Sequence, residues 1–436
     1  MSPVELSALF FGVMILCLAA GAPIAIVLGG LSAILVTIFW GPKALSMVVL
    51  KAYGNTSSFE FLAIPLFVFM ANMLERSGIA EDLYRTMYRF VGHRRGGLAA
   101  GTILICTIFA AMAGISGAAT VSMGILALPA MLSRGYSKRI ALGSVAAGGS
   151  LGILIPPSVT MIVYGLVSQT SVGRLYAGGV LPGLLLAAMF IAYVLIRSHL
   201  QPSLAPPAPP EERFSWREKL RSLTGLVFPL LLVVAVLGSI LTGFTSISEA
   251  AAVGAFGALV ATALKGRLGW AMLRQAADNT LLVSCLIFWI IIGASAFSTL
   301  YTAMGAASLV KDLVLGLGAD RYLVLVGMQI VLILLGMVID TVGIIMITVP
   351  VFLPIIVALG FDPVWFGVLF IINMEIGFLT PPFGYNLFYL KGVAPPGVTI
   401  GDIYGSIVPF VVLMMAALGL CIVFPEIILW LPRQIF

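Results

Sequence analysis

Long apolar runs alternate along the chain with short polar ones. They lie at 4–20, 22–40, 61–84, 97–114, 118–133, 140–165 and 174–197, then at 224–243, 245–264, 279–303, 322–338, 343–360, 363–390 and 403–431. Most approach the ~20 residues that a helix needs to cross a bilayer core. The pattern predicts an all-α polytopic membrane protein. The one long polar stretch, residues 200–222, contains QPSLAPPAPPEERFSWREKLR. Its proline and charge suit a linker, and it separates residues 1–199 from 223–436.

The two parts share a pattern at an offset of 225 residues. Gly29 matches Gly254, Pro129 matches Pro354 and Gly135 matches Gly360. GILIPP (Gly152–Pro157) matches GFLTPP (Gly377–Pro382), and Tyr164 matches Tyr389. Paired prolines are uncommon inside hydrophobic runs, so their recurrence in register marks an internal repeat.

Charge places the runs relative to the membrane, because basic residues collect in cytoplasmic loops. Arg85, Arg89, Arg94 and Arg95 precede the 97–114 run, and Arg134, Lys138 and Arg139 follow the 118–133 run. Both ends of this pair are therefore expected on the cytoplasmic side. The uncharged tip between them, Gly114-Ile115-Ser116-Gly117, predicts a re-entrant hairpin over 97–133. The pair at 322–360, with Arg321 and Asp362 at its ends, is expected to be the same hairpin entering from the opposite face. Each part then holds about five spans plus one hairpin, and an odd number of spans inverts the second repeat. The linker (Arg213, Arg217, Lys219, Arg221) and the loop carrying Lys265, Arg267 and Arg274 fall on the cytoplasmic side, and both termini fall outside. Inverted repeats are the architecture of secondary transporters, which bind solute at the midplane where the repeats meet.

Composition narrows the function. Hydrophobic residues make up 61% and charged residues 9%, against roughly a quarter charged in soluble domains. A soluble enzyme or a nucleic-acid-binding protein is excluded. The net charge of +6 reflects basic loops rather than an acidic partner. Cys17, Cys106, Cys285 and Cys421 are far apart with no CxxC pair, which signals neither a metal nor a redox site. His93 and His199 both sit in charged loops, so no Ser–His intramembrane protease is expected. No GxxxxGK[ST] is present, so the chain is expected to hydrolyse no nucleotide. The start lacks a basic n-region and a cleavage site, so the first run is expected to be kept as a span.

Chemistry is expected where helices break inside the membrane. The first break is GGSLGILIPPS (Gly148–Ser158) and the second IGFLTPPFG (Ile376–Gly384). Proline removes a backbone donor, and lipid offers the freed carbonyls no partner. Na⁺ takes such oxygens; a simple kink filled by side chains is the alternative. Ser116 and Thr341 at the hairpin tips offer hydroxyls to a cation or a solute, or bond back to their own helices. Asp340 is a carboxylate inside the second hairpin, a functional-site hypothesis in any membrane protein; the alternative is a partner to the N–H groups of its own tip. Glu249 is equally a helix cap with Ser246 or Ser248 and a functional carboxylate. Glu375, just before the second break, is open in the same way. Ser158 closes the first break, and Tyr385 and Asn386 follow the second, where each offers polar contact.

At these stretches the sequence resembles the large membrane subunit of the tripartite ATP-independent periplasmic (TRAP) transporters, of the DctM/SiaM type. The resemblance is carried by GHRRGGLAAG (Gly92–Gly101), FAAMAGISGAAT (Phe109–Thr120), AAGGSLGILIPPSV (Ala146–Val159), AGGVLPGLLLA (Ala177–Ala187), SEAAAVGA (Ser248–Ala255) and GFLTPPFGYNLF (Gly377–Phe388). It implies a non-enzymatic, Na⁺-coupled importer of organic acids such as C4-dicarboxylates or sialic acids, residing in the bacterial inner membrane. A transport domain would move against a scaffold in an elevator motion. The implied partners are a small four-span membrane subunit (DctQ/SiaQ type) and a periplasmic substrate-binding protein (DctP/SiaP type). Carried onto this sequence, one Na⁺ site would involve Ser116, Gly117, Gly149, Gly152 and Pro156. A second would involve Gly336, Thr341, Gly377, Thr380 and Phe383. Asp340, Thr341, Ser116, Ser158 and Asn386 would contact the solute.

Overall fold

The computed structural model describes residues 3–209, 214–316 and 318–436. Arg213 of the linker lies outside the described residues. Those residues form helices and no strand. Before the linker run α1 (Pro3–Ala19), α2 (Ile24–Trp40), α3 (Leu45–Thr56), α4 (Ala63–Arg76), α5 (Ile79–Val91), α6 (Gly97–Ala113), α7 (Ser116–Ser133), α8 (Lys138–Ser150), α9 (Val159–Ser168) and α10 (Val172–Leu200). After it run α11 (Trp216–Ser222), α12 (Thr224–Val233), α13 (Ser239–Leu241), α14 (Ile247–Leu264), α15 (Trp270–Ala303), α16 (Ala306–Gly316), α17 (Arg321–Gly336) and α18 (Thr341–Ala358). The last four are α19 (Pro363–Leu379), α20 (Tyr385–Val393), α21 (Ile400–Val423) and α22 (Glu426–Ile435).

Among the described residues, seven helices are long and apolar enough to cross a membrane, or eight if the pair Pro42–Thr56 and Phe59–Arg76, bent by 55°, is one span. Several further apolar helices are shorter, among them α6, α9, α17 and α19. The chain is a multi-pass membrane protein, and its helices are set by familiar local rules. Ser137 caps α8, Asp362 caps α19 and Ser171 caps α10, each accepting from a first-turn N–H. Ser246 and Glu249 close a reciprocal box at the start of α14, with Ser246 N donating to Glu249 Oε2 at 2.7 Å. Glu249 is thus a cap.

The structure departs from the apolar pattern in four places. The 61–84 run holds two helices, α4 and α5, separated where Gly78 takes a positive φ of 80°. The helix α3 precedes them unannounced, because Lys51, Tyr53 and Asn55 interrupt its apolar pattern. The 403–431 run is two helices, broken at Phe424–Pro425. The linker is partly structured: Ala205 O accepts from Gly96 N at 3.1 Å, Leu204 O from Ser137 N at 2.8 Å, and Ala208 N donates to Gly92 O at 2.9 Å. It is thereby tied to the base of the first hairpin.

Helix bounds recur at the 225-residue offset. The tip-distal helices α7 and α18 each span 18 residues and start at Ser116 and Thr341. Two packed groups result. One holds the hairpins and broken helices: α6 and α7 pack on α8, α17 on α19, and across the linker α20 packs on α7 and α18 on α9. In the other, α2 packs on α15 and α14 on α4. A Cβ on Gly29 would stand 3.1 Å from the Gly293 Cα, so α2 and α15 meet backbone to backbone.

Candidate functional site: a cavity between the hairpin tips

The two groups meet at a cavity of about 350 Å³. The first hairpin contributes Gly114–Ala118 and the second Asp340, Thr341 and Val342. The breaks contribute Ile153, Val159 and Phe378, and the wall from the other group carries Asn72 and Glu75 of α4 and Leu286 and Ile287 of α15.

The tips are shaped by backbone rules. Gly114 ends α6 with a positive φ of 67°, which a Cβ disfavours, and α7 begins two residues later. Asp340 caps α18, its Oδ2 accepting from Gly343 N at 3.1 Å. The N-termini of α7 and α18 both open on the cavity; that of α7 has no side-chain cap, whereas that of α18 is already met by the Asp340 carboxylate. The Thr341 hydroxyl lines the cavity, is buried, and has no partner among the described residues.

Each break is tied to its own hairpin. Val159 N donates to Gly114 O at 3.3 Å and Phe383 N to Met337 O at 3.2 Å. Both Pro–Pro bonds, Pro156–Pro157 and Pro381–Pro382, are cis. Glycine permits very close approach here. A Cβ on Gly152 would stand 2.9 Å from the Ile115 carbonyl, and one on Gly377 would stand 2.8 Å from the Gly336 Cα. Gly149 lies against Thr120, and Gly117 lies under the ring of Tyr389.

Of the solute candidates, Ser116, Thr341 and Asp340 line the cavity; Ser158 and Asn386 do not. Ser158 donates to Ile153 O at 2.6 Å and caps α9. Asn386 is fully buried with both amide groups engaged: Thr120 Oγ1 donates to its Oδ1 at 2.6 Å, and its Nδ2 donates to Ala146 O at 2.7 Å. It fastens α20 to α7 and α8 and leaves nothing for a solute. Among the cation candidates, Gly152 meets the Ile115–Ser116 backbone and Gly336 meets Gly377. Thr380 Oγ1 bonds back to Ile376 O at 2.7 Å, and Phe383 is half exposed. Glu375 is fully buried in α19 and accepts from Ser150 Oγ at 3.0 Å. Asn72, Glu75, Thr160 and Tyr389 line the cavity without having been singled out as solute contacts. Glu75, a carboxylate inside the apolar 61–84 run, was legible by the same rule that flagged Asp340.

Fold and cavity define a multi-pass membrane protein with a cavity between two helical hairpins. The solved YdaH transporter of Alcanivorax borkumensis shares the fold, with a TM-score of 0.60 at 16% identity over 92% of this chain and 97% of that one. So does MtrF of Neisseria gonorrhoeae, with a TM-score of 0.62 at 13% identity over 88% and 84%. The model of the tripartite ATP-independent periplasmic transporter, DctM component, matches residues 11–427, and the chain belongs to that family. It is 33% identical over 405 residues to the C4-dicarboxylate TRAP transporter large permease protein DctM of Pseudomonas aeruginosa, covering 93% of each chain. It is 31% identical over 447 residues to the protein of the same name from Vibrio cholerae, covering 98% and 97%. It is 30% identical over 440 residues to the ectoine/5-hydroxyectoine large permease UehC of Ruegeria pomeroyi, covering 99% and 100%. The chain is a large permease subunit, not an enzyme.

Proposed function

We propose that this permease imports a small organic acid across a bacterial inner membrane, coupled to Na⁺, by an elevator motion. The carrying observation is the single cavity on which both hairpin tips, both breaks and the α4/α15 wall converge. The packing supports an elevator reading: hairpins and broken helices form one group, and α2, α4, α14 and α15 the other. The solute would rest between a moving body and a fixed wall. The helix bounds at the 225-residue offset and the basic cytoplasmic loops support two repeats of opposite orientation.

The residues fit the roles. The N-terminus of α7, which no side chain caps, attracts the solute carboxylate by roughly 0.3–1 kcal/mol where exposed. Thr341 supplies a buried hydroxyl with a free hydrogen-bonding capacity. The glycine crossings at Gly152 and at Gly336–Gly377 bring backbone from a tip and a break together without side chains between them. Ser116, Gly117, Gly149, Gly152 and Pro156 would hold one Na⁺; Gly336, Thr341, Gly377, Thr380 and Phe383 would hold a second. Bound Na⁺ supplies positive charge beside the solute carboxylate. A four-span membrane subunit would widen the fixed wall, and a periplasmic binding protein would deliver solute.

The test is reconstitution. Purified permease with both partners and an inward Na⁺ gradient should accumulate an organic acid; permease alone should not. Robust uptake by this chain alone would refute the tripartite reading, and uptake indifferent to Na⁺ would refute the coupling.

A further inference from the structure

A second cavity, of about 380 Å³, lies between α5 and the helix that follows the linker. That helix runs through α11, α12 and α13 as one span, Trp216–Leu241. It carries Arg217, Glu218, Lys219 and Arg221, and then no charge from Thr224 to Leu241. Such a change marks the level of the lipid headgroups, where an exposed tryptophan is also expected; Trp216 is that residue. The cavity is lined by Glu218, Arg221, Ser222, Thr224 and Gly225 of the span, so it sits at this level.

Its inner side is closed by contact between the two helices. Thr86 and Ser222 are buried, and Thr86 Oγ1 donates to Ser222 O at 2.8 Å. A Cβ on Gly225 would stand 3.2 Å from the Asp82 Cβ. Arg85 and Arg89, one turn apart on α5, and Arg221 on α11 line the same space, together with the carboxylates of Asp82 and Glu218. Both carboxylates have partners of their own. Asp82 pairs with Lys265 of the α14–α15 loop. Glu218 accepts from Ser215 N at 2.8 Å and from Ser215 Oγ at 2.9 Å, closing the box that starts α11. Arg89 lies over the Phe214 ring at 5.4 Å. Among the described residues none of the three guanidinium groups is within ion-pair distance of a carboxylate. Basic residues scattered over a cytoplasmic surface need no ligand to explain them. These three instead converge on one concave space beside the bilayer.

The space continues into an apolar strip. Thr224 lines the cavity, and Phe228 and Leu231 follow it at i+4 and i+7, on one face of the span. Leu231 is 61% exposed. A soluble phosphate would use the arginines and leave this strip bare, whereas a lipid uses both. We propose that the cavity binds an anionic phospholipid of the surrounding bilayer, its phosphodiester held by Arg85, Arg89 and Arg221 and an acyl chain laid along Phe228 and Leu231. Guanidinium groups take phosphate oxygens through paired N–H donors, and basic pockets between spans at the cytoplasmic surface suit anionic headgroups. The lipid braces α5, which joins the α4 wall to the first hairpin, against the span. The proposal is independent of which solute the permease carries.

The test uses the purified, delipidated permease in an uncharged detergent and reads the thermal unfolding midpoint as probes are added. The probes are phosphatidylglycerol, phosphatidylcholine and inorganic phosphate, at matched ionic strength. Phosphatidylglycerol should raise the midpoint, and the other two should not. Each of Arg85→Gln, Arg89→Gln and Arg221→Gln should raise the phosphatidylglycerol concentration needed by about fivefold, the scale of one basic side chain at an anionic surface. Arg95→Gln, at an exposed position outside the cavity, should leave it unchanged. Native mass spectrometry of the unmutated chain, which needs no variant to fold, should show phosphatidylglycerol retained in preference to phosphatidylcholine. An equal response to phosphatidylcholine, or no preference in the mass spectrum, would overturn the headgroup assignment. A response to inorganic phosphate as large as that to phosphatidylglycerol would overturn the lipid. A loss in Arg95→Gln equal to that in the cavity variants would reduce the effect to surface charge and overturn the site. So would an unaltered response in all three cavity variants, or no response to any probe.

Discussion

Ser150 and Glu375 are hydrogen-bonded, hydroxyl to carboxylate oxygen at 3.0 Å, and stand 225 residues apart, the offset of the sequence repeat itself. Both side chains are fully buried, and Glu375 Oε2 has no partner among the described residues. Ser150→Ala should strip that carboxyl of its one side-chain donor and cost about 1–3 kcal/mol. Glu375→Gln keeps a hydrogen-bonding group of the same shape and should cost much less. Thermal unfolding of the purified variants checks this; an unchanged midpoint in Ser150→Ala would show that the bond contributes nothing.

Asp340 has two separable roles, cap and charge. Asparagine caps nearly as well as aspartate, while alanine loses the cap at a cost of about 1 kcal/mol. Asp340→Asn should therefore fold and insert normally yet greatly reduce Na⁺-driven uptake, and Asp340→Ala should lose uptake and some stability together. The matched first-hairpin change Ile115→Val should be nearly silent. Wild-type uptake and Na⁺ dependence in Asp340→Asn would refute a role for the charge.

The Gly336–Gly377 crossing has no room for a side chain. Gly377→Ala would place a Cβ 2.8 Å from the Gly336 Cα and force backbone apart, with a cost of about 1–3 kcal/mol. If the crossing holds a cation, the Na⁺ concentration for half-maximal uptake should also rise. Gly392→Ala is the control, since nothing lies within 4 Å of its Cβ position. Equal midpoints and equal Na⁺ dependence for the two variants would argue against both claims.

The linker is expected on the cytoplasmic side and anchored to the first hairpin. In a cysteine-free background, Ser203→Cys, at an exposed position, should resist an impermeant thiol reagent in intact cells and react promptly after permeabilisation. Ala205→Cys, at a buried position whose carbonyl accepts from Gly96 N, should react slowly even then. Ready labelling at position 203 in intact cells would overturn the orientation of both repeats.

The sequence by itself determined a great deal here because a membrane imposes simple rules. Apolar length places helices, prolines mark the breaks, and the uncharged Gly114–Gly117 segment marks a hairpin tip. All of these are local properties of the chain. It also pointed to Asp340 and Thr341, since an ionisable or hydroxyl group in an apolar run stands out without any neighbour being known. Tertiary structure alone decided which of these groups share a space. Asn386 looked like a solute contact because it follows the second break, yet its amide is spent on Thr120 and Ala146, 266 and 240 residues away. Glu249 could be cap or functional carboxylate until Ser246 was seen to close the box. Glu75 reached the cavity because α4 packs where both tips meet. Side-chain partners distant in sequence are fixed by packing, and no period or motif within one segment records them.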